Sequence, residues 1–355
     1  MAGGGVVFRR NSCSGVAGMK QIEIVGGGLA GLALGIAMRR REVPVILREA
    51  TTYPRHRVCG EFINGVTIET LENLGIAHLF SDALKHGKTR WWVGDEKILE
   101  AQLSKPALGM SRWEMDERLR QEFERSGGEL IVNDRVDREA MEGRVWTAGR
   151  KLEKGTPWLG LKAHFDGVSL DGYLEMHLGN GGYVGLTPIE GDGSKINVCG
   201  LFRGAKMGKG NPLLNALDEC GLEKLVDRLR GGKMNQKSLT GISGFRLGSQ
   251  HVEHELCVLG DAERMIPPFT GNGMSMAFES AECALDPLMI YAQQGAAWDT
   301  TCKNIQLRLE ERFGRRVRLA LSLHRILTNP IGRKGISLAA KCGVLPFQWL
   351  HRRLC

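Results

Sequence analysis

The stretch KQIEIVGGGLAGLALGIAMRRREVPVILREA, Lys20 to Ala50, decides the fold. Ile22, Ile24 and Val25 make a short apolar strand. Gly26, Gly28 and Gly31 follow with the spacing G-x-G-x-x-G. Leu29 to Met38 continue as an apolar helix, and VPVIL is the next strand, ending at Glu49. The first glycine permits a tight turn, the second lets a pyrophosphate approach the backbone, and the third lets helix and strand pack closely. The helix N-terminus leaves N–H groups free and partly positive. Glu49 stands 18 residues after Gly31, where a carboxylate accepts ribose hydroxyls. Strand, turn, helix, strand and acid in this order predict a dinucleotide-binding unit of a doubly wound α/β sheet. A ligand-free glycine turn would leave the terminal acid unexplained.

NAD and FAD share this fingerprint, and a second stretch chooses between them. HELCVLGDAERMIPPFTGNGMSMAFESAECAL, residues 254–285, begins with a strand, Leu256 to Leu259, closed by Gly260 and Asp261. Pro267 and Pro268 delay the helix. Gly271, Asn272 and Gly273 then bring bare backbone to the start of the helix from Met274 to Leu285. A carboxylate at a strand end suits a polyol hydroxyl, and a glycine-rich helix N-terminus suits an electron-rich, partly anionic ring edge. FAD is the cofactor that uses both stretches, its adenosine half at Gly26–Glu49 and its ribityl-flavin half at Asp261–Gly273.

Over residues 20–290 the chain resembles the FAD-dependent oxidoreductases that include para-hydroxybenzoate-hydroxylase-type monooxygenases, geranylgeranyl reductases and flavin halogenases. The resemblance implies that Asp261 contacts the ribityl chain and that the Gly271–Gly273 backbone faces the isoalloxazine. SRWEMDERL, Ser111 to Leu119, resembles the family's S/T-R-x-x-L-D-x-x-L helix, with Ser111 and Glu114 as a capping box. There Arg112 lies near the diphosphate and ribityl region; an exposed surface arginine is the plainer alternative. YPRHRVCGEFIN, Tyr53 to Asn64, resembles the segment that runs beside the flavin. It makes Cys59 a candidate near the ring, with a buried inert thiol as the equal alternative. His56 as a covalent flavin anchor is a minor reading. One departure stands out: WTAGRK carries Ala148-Gly149 where the family usually has Asp-Gly. That weakens the expectation of NAD(P)H as electron donor, and no second G-x-G-x-x-G marks a nicotinamide domain.

Residues 158–203 read as four strands, WLGLKAHF, GYLEMHL, YVGLTPIE and INVCGLF, with turn signals between them. An antiparallel meander is the simple expectation. Alternation puts Lys162 and His164 on one face, and Tyr173, Glu175 and His177 on one face of the next strand. Halogenases carry W-x-W-x-I-P at the third strand and archaeal geranylgeranyl reductases Y-x-W-x-F-P. Here Tyr183, Gly185, Thr187 and Pro188 stand there, so a halogenase is not expected and the pocket should be wide. Tyr183 is a candidate substrate-site residue, with a core aromatic as the alternative.

The 355 residues are 42% apolar and 25% charged, ordinary for a globular enzyme, and no run of 18 apolar residues appears. Nine cysteines without a paired spacing read as reduced thiols of a cytoplasmic protein, with no metal site. Residues 301–355 hold 12 Lys/Arg against 2 Asp/Glu, so the net charge of +8 belongs to the tail. That argues against a nucleic-acid partner. Val317, Leu321, Leu323 and Leu327 mark an apolar stripe there. The tail reads as a helical cap with a solvated basic face, and alternatively as peripheral membrane contact suited to a lipophilic substrate.

The expected organisation is a disordered arm over 1–18, with an organelle leader and a later start at Met19 as alternatives. A discontinuous FAD-binding domain takes 19–80, 107–150 and 250–295. An inserted antiparallel substrate sheet takes 81–106 and 151–249, and a basic helical segment takes 296–355. The expected function is flavin redox chemistry on a small organic molecule, lipophilic or polyketide-like. A monooxygenase comes first, then a reductase of carbon–carbon double bonds, then a non-catalytic FAD-binding protein. No obligate side-chain acid or base is evident.

Overall fold

The computed structural model describes residues 18–191, 193–204, 210–250 and 256–355. The arm expected over 1–18 therefore lies outside the described residues except for Gly18. The chain opens with β1 (Ile22–Val25), α1 (Leu29–Arg39), β2 (Val45–Glu49), β3 (Phe62–Ile63) and α2 (Ile68–Asn73). A long hairpin, β4 (Leu84–Val93) and β5 (Glu96–Gly109), leads to α3 (Arg112–Arg125), β6 (Glu129–Val132) and β7 (Arg144–Trp146). Then come β8 (Trp158–Asp166), β9 (Leu174–Gly179), β10 (Gly182–Pro188) and β11 (Lys195–Arg203). They precede α4 (Pro212–Glu219), α5 (Glu223–Arg230) and β12 (Lys233–Ser243). The last part holds β13 (Gly248–Ser249), β14 (Cys257–Val258), β15 (Arg264–Met265) and α6 (Gly273–Ala292). It ends in α7 (Trp298–Thr328), α8 (Pro330–Lys341) and α9 (Phe347–Leu354).

The first sheet is parallel throughout, in the order β14-β7-β1-β2-β6. Its centre is β1, whose Ile22 and Ile24 are fully buried. Ten of the eleven residues of α1 are buried, as expected for a helix that is apolar all round. It is enclosed by the sheet, α3 and α6. Gly35 sits so close to Phe123 of α3 that a Cβ would lie 2.7 Å from the ring. This doubly wound arrangement matches the expected fold class.

The second sheet has the order β12-β8-β11-β10-β9-β4-β5-β3. Here the simple meander is corrected. β9, β10 and β11 pair in succession, but β8 lies beside β11 and β12 rather than beside β9. The segment after β8 is not a tight two-residue turn. It runs through Val168 and Leu170, both buried against α4 and α5, and delivers β9 parallel to β4. One face of this sheet forms a core with α4 and α5, built from Leu161, Phe165, Val184, Val198 and Phe202. The opposite face of β8, β10 and β11 turns toward residues 58–62.

The basic tail is helical, as expected, but its apolar stripe is placed differently. α7 packs on α6 through Trp298, Ile305, Leu309, Phe313, Val317 and Leu327. Leu321 and Leu323 are only partly buried, and His324 takes the inward position between them and Leu327.

Candidate functional site

Two glycines of the first turn are held by their surroundings. Gly26 has φ +110°, and a Cβ there would lie 2.4 Å from the Ala148 backbone. A Cβ on Gly31 would come within 2.1 Å of the Gly26 carbonyl oxygen, which is why α1 can lie directly on β1. Gly28 differs: no atom lies within 4 Å of the position its Cβ would take. Gly273, the first residue of α6, shows the same open space. Between them Gly271 has φ +68°, and Phe62 fills the place of its side chain.

Asn272 is fully buried and caps this turn in an unexpected way. Its amide nitrogen donates to the Asn64 carbonyl at 2.8 Å, and Asn64 Nδ2 donates to the Thr270 carbonyl at 3.1 Å. Ser275 Oγ donates to the same Asn64 carbonyl at 2.7 Å. The turn before α6 is thus clamped to the segment after β3, across more than 200 residues of chain. Asn64 carries no motif that would reveal this role.

Glu49 is buried at the end of β2. Its carboxylate accepts from the Gly27 N–H at 2.8 Å and from the Thr51 N–H and hydroxyl at 3.0 and 2.9 Å. Arg55 Nη2 approaches it at 2.9 Å. From there a chain of charges crosses the cradle. Arg57 lies between Glu49, at 3.9 Å, and Asp116, at 2.9 Å. Asp116, fully buried, is held by Arg112 through two hydrogen bonds of 2.7 and 2.8 Å. Arg112 is therefore buried, and the exposed-surface alternative is corrected: the i, i+4 spacing on α3 turns it inward to its partner. Asp261 follows β14, with Arg150 at 4.0 Å. Enclosure by the surrounding walls raises its carboxyl, opposed by the charges of Arg150, Arg112 and Arg57, although the side chain is still 41% exposed.

These residues fit a dinucleotide. Arg55 Nε, Arg57 Nη2 and Arg150 Nε are buried nitrogens without a hydrogen-bond partner. Buried donors of this kind are costly unless a ligand satisfies them, and a diphosphate supplies several acceptors at once. Arg55, Arg57 and Arg150 were not foreseen. Arg150 follows Ala148-Gly149, so the charged group of that loop is a guanidinium. It lies over the Phe245 ring at 5.0 Å.

Asp261 and Arg150 also belong to the wall of a cavity that is otherwise largely apolar, with Val58, Phe62, Met176, Leu201, Ile242, Phe245, Met265 and Phe269 around it. Cys59 and Tyr183 both line it, as do Gly185 and Cys199, which face each other across β10 and β11. The Tyr183 ring is packed edge-on against Phe269 and His324, and its hydroxyl makes no hydrogen bond. Burial pushes the Tyr183 phenol and the Cys199 thiol upward. Burial likewise raises Cys59, against the opposing charge of Arg112, so both thiols are protonated at neutral pH.

Residues 19–169 match the family described as FAD binding domain. The fold is shared with FAD-dependent oxidoreductases of known structure. Menaquinone reductase of Mycolicibacterium smegmatis strain mc(2)155 is 23% identical, the alignment covering 89% of this chain and 88% of that one. Menaquinone reductase of Mycobacterium tuberculosis strain H37Rv is 26% identical, but only over 31% of this chain and 28% of the relative's length. Three solved structures share the fold. Pseudomonas aeruginosa PqsL in complex with 2-aminobenzoylacetate superposes with a TM-score of 0.69 at 16% identity, covering 89% of this chain and 99% of that one. The p-nitrophenol 4-monooxygenase PnpA of Pseudomonas putida DLL-E4 gives 0.73 at 14% identity, covering 95% and 97%. A geranylgeranyl bacteriochlorophyll reductase-like protein of Thermoplasma acidophilum gives 0.71 at 16%, covering 92% of each.

Proposed function

We propose that this chain is an FAD-dependent enzyme of monooxygenase type that acts on a lipophilic organic molecule. The observation that carries this reading is the cavity: its wall joins Asp261 and Arg150, at the cofactor cradle, to the apolar face around Tyr183. Bound FAD would supply hydride or oxygen chemistry. Gly26, Gly28, Gly31 and Glu49 would hold its adenosine half, Arg55, Arg57 and Arg112 its diphosphate, and Asp261 its ribityl hydroxyls. Gly271, Asn272 and Gly273 would place the N-terminus of α6, and its free N–H groups, where negative charge builds on the ring. Tyr183, Cys59 and Met176 would position the substrate and exclude water.

A second reading, reduction of a carbon–carbon double bond, is favoured by two observations. The relative that aligns over most of its length is a reductase, and Ala148 stands in place of the acid associated with the nicotinamide donor. The two readings differ in oxygen demand. Purified protein is expected to be yellow and to bleach on anaerobic titration with NADPH or NADH. Oxygen consumption equal to product then identifies a monooxygenase, and product formed without oxygen identifies a reductase. Colourless folded protein that takes up no added FAD would sink both.

We further propose that the C-terminal helices rest on an anionic membrane surface. Ile331, Leu338, Val344 and Trp349 are 54–81% exposed, a concentration of bare apolar side chains within 19 residues. Lys334, Arg352 and Arg353 are exposed beside them. Apolar and basic groups on one amphipathic surface suit the headgroup region of an acidic bilayer. Among the described residues, no helix is long and apolar enough to cross a membrane.

A further inference from the structure

Four ionisable side chains gather behind the cavity wall, and the cofactor cradle uses none of them. Glu61 and Lys162 are fully buried and His164 nearly so. Glu61 Oε2 lies 2.6 Å from His164 Nε2, and Glu61 Oε1 lies 3.1 Å from Lys162 Nζ. The Arg112 N–H donates to the same Oε1 at 3.0 Å. Lys162 Nζ is 3.3 Å from His56 Nδ1. His56 is half-buried and rests on the ring of Trp113, centroids 4.6 Å apart, and Trp113 is 43% exposed.

Stability does not account for this arrangement. A buried ion pair of good geometry is worth little more than an apolar pair of the same volume. Glu61 moreover holds φ +58°, a left-handed conformation that side chains disfavour. Strained residues that persist in buried polar clusters point to a function.

The cluster ends one side-chain layer from the cavity. Lys162 stands opposite Cys199 in the β8–β11 register, and the Glu61 N–H donates to the Cys59 sulfur at 3.5 Å. Both thiols line the cavity. We propose that His56, Lys162, Glu61 and His164 form a proton relay between solvent and the wall of this cavity. The inference rests on the redox reading above, because either chemistry must move a proton through an otherwise apolar enclosure.

The relay balances without electron transfer. His56 takes a proton from water and passes it to Lys162 as Lys162 gives one to the Glu61 carboxylate. Glu61 gives it to a thiol of the Cys59–Cys199 layer as that thiol gives its own to the base that the redox step leaves in the cavity, and His164, on the other carboxylate oxygen, holds Glu61 in place. Burial would raise the Glu61 carboxyl, but the His164 hydrogen bond and the Lys162 charge outweigh it and hold it low. Burial, with the charges of Lys162 and His164, pushes His56 down to about 4, so it carries a proton only in passage. The other groups facing the cluster are fixed: Arg112 by Asp116, and the His164 backbone N–H by donation to the Ser238 hydroxyl oxygen.

The test uses the full-length, FAD-loaded chain in weakly buffered solution with a pH-indicating dye. Bound flavin is reduced by a light pulse under anaerobic conditions in the presence of a sacrificial electron donor, and proton uptake is followed. Wild type should take up protons in step with reduction. Lys162→Met and His56→Phe should lag at least tenfold with the flavin spectrum unchanged, and added imidazole should restore His56→Phe. Uptake at the wild-type rate in both variants overturns the relay. Should Lys162→Met not fold, half-exposed His56→Phe carries the test alone. A flavin-free check uses NMR: Lys162→Arg keeps the charge and should keep the His56 titration low, whereas Lys162→Met removes it and must raise the His56 titration, and an unmoved titration in Lys162→Met overturns the relay whatever the cofactor. A wild-type chain that never binds FAD fails earlier, at the spectral titration, and takes the redox reading and the relay together.

Discussion

A methyl group added at Gly26 would meet the Ala148 backbone at 2.4 Å, whereas one added at Gly28 would meet nothing within 4 Å. The two substitutions should therefore separate folding from ligand binding. Gly26→Ala adds a side chain at φ +110° against immovable backbone, and should lower unfolding free energy by about 2–4 kcal/mol in denaturant titration. Gly28→Val should leave that titration within about 0.5 kcal/mol of wild type. It should also weaken FAD affinity at least tenfold by fluorescence titration, because its branched side chain fills the space left for the ligand. His324 offers a second test at this scale. It is buried with neither ring nitrogen hydrogen-bonded, and burial lowers it to about 4 from an ordinary 6.5. Its folded-state pKa is depressed, so the unfolded chain takes the proton first. Stability is full above about pH 6.5 and should fall as pH drops toward 4. His324→Phe should flatten that part of the pH–stability curve; an unchanged slope would show that His324 is not its source.

At the scale of elements, α7 is the tie between the tail and the cofactor-binding layer. Its Leu309 and Phe313 are fully buried against α6. Arg312 and Arg316 reach the buried Glu279 of α6 at 3.2 and 3.0 Å. Leu309→Ala should cost about 2–5 kcal/mol of stability in denaturant titration, and an effect below about 1 kcal/mol would mean that α7 is not part of the core. Strand, turn and helix of the first unit were legible because turn, helix and acid each leave a spaced residue signal. The position of β8 was not, since pairing between β8, β11 and β12 depends on contacts far apart in sequence. The turn signals after β8 report only that the strand ends. His324 was hidden for a related reason, since helical period identifies an inward position but leucines on either side compete for it.

For the whole molecule, the site was partly legible. Gly26, Gly28, Glu49, Arg112, Asp261 and Gly273 stand in regular contexts that a sequence pattern can show. Arg55, Arg57, Arg150 and Asn64 belong to no such pattern, and the role proposed for them rests on how distant segments meet. The tail poses the same question on a larger scale, because its exposed side chains gain meaning as a surface. Full-length protein is expected to float with vesicles containing about a third phosphatidylserine and to stay in solution with neutral ones. Leu338→Ser with Trp349→Ser should abolish flotation without changing the FAD spectrum; equal flotation of that variant would remove the membrane proposal. Side-chain replacement is the right instrument here, since cutting the chain before α7 would uncover the core that α7 closes.

Closure of α1 between its sheet and α6 carries a consequence for biosynthesis. The helix is apolar on every side, yet the segment that shelters one of those sides is made more than 200 residues later. During translation the first third of the chain leaves the ribosome with the α6 side of this rod still bare. Its exposure lasts until α6 arrives, and over that interval an apolar surface of the nascent polypeptide stays open to aggregation.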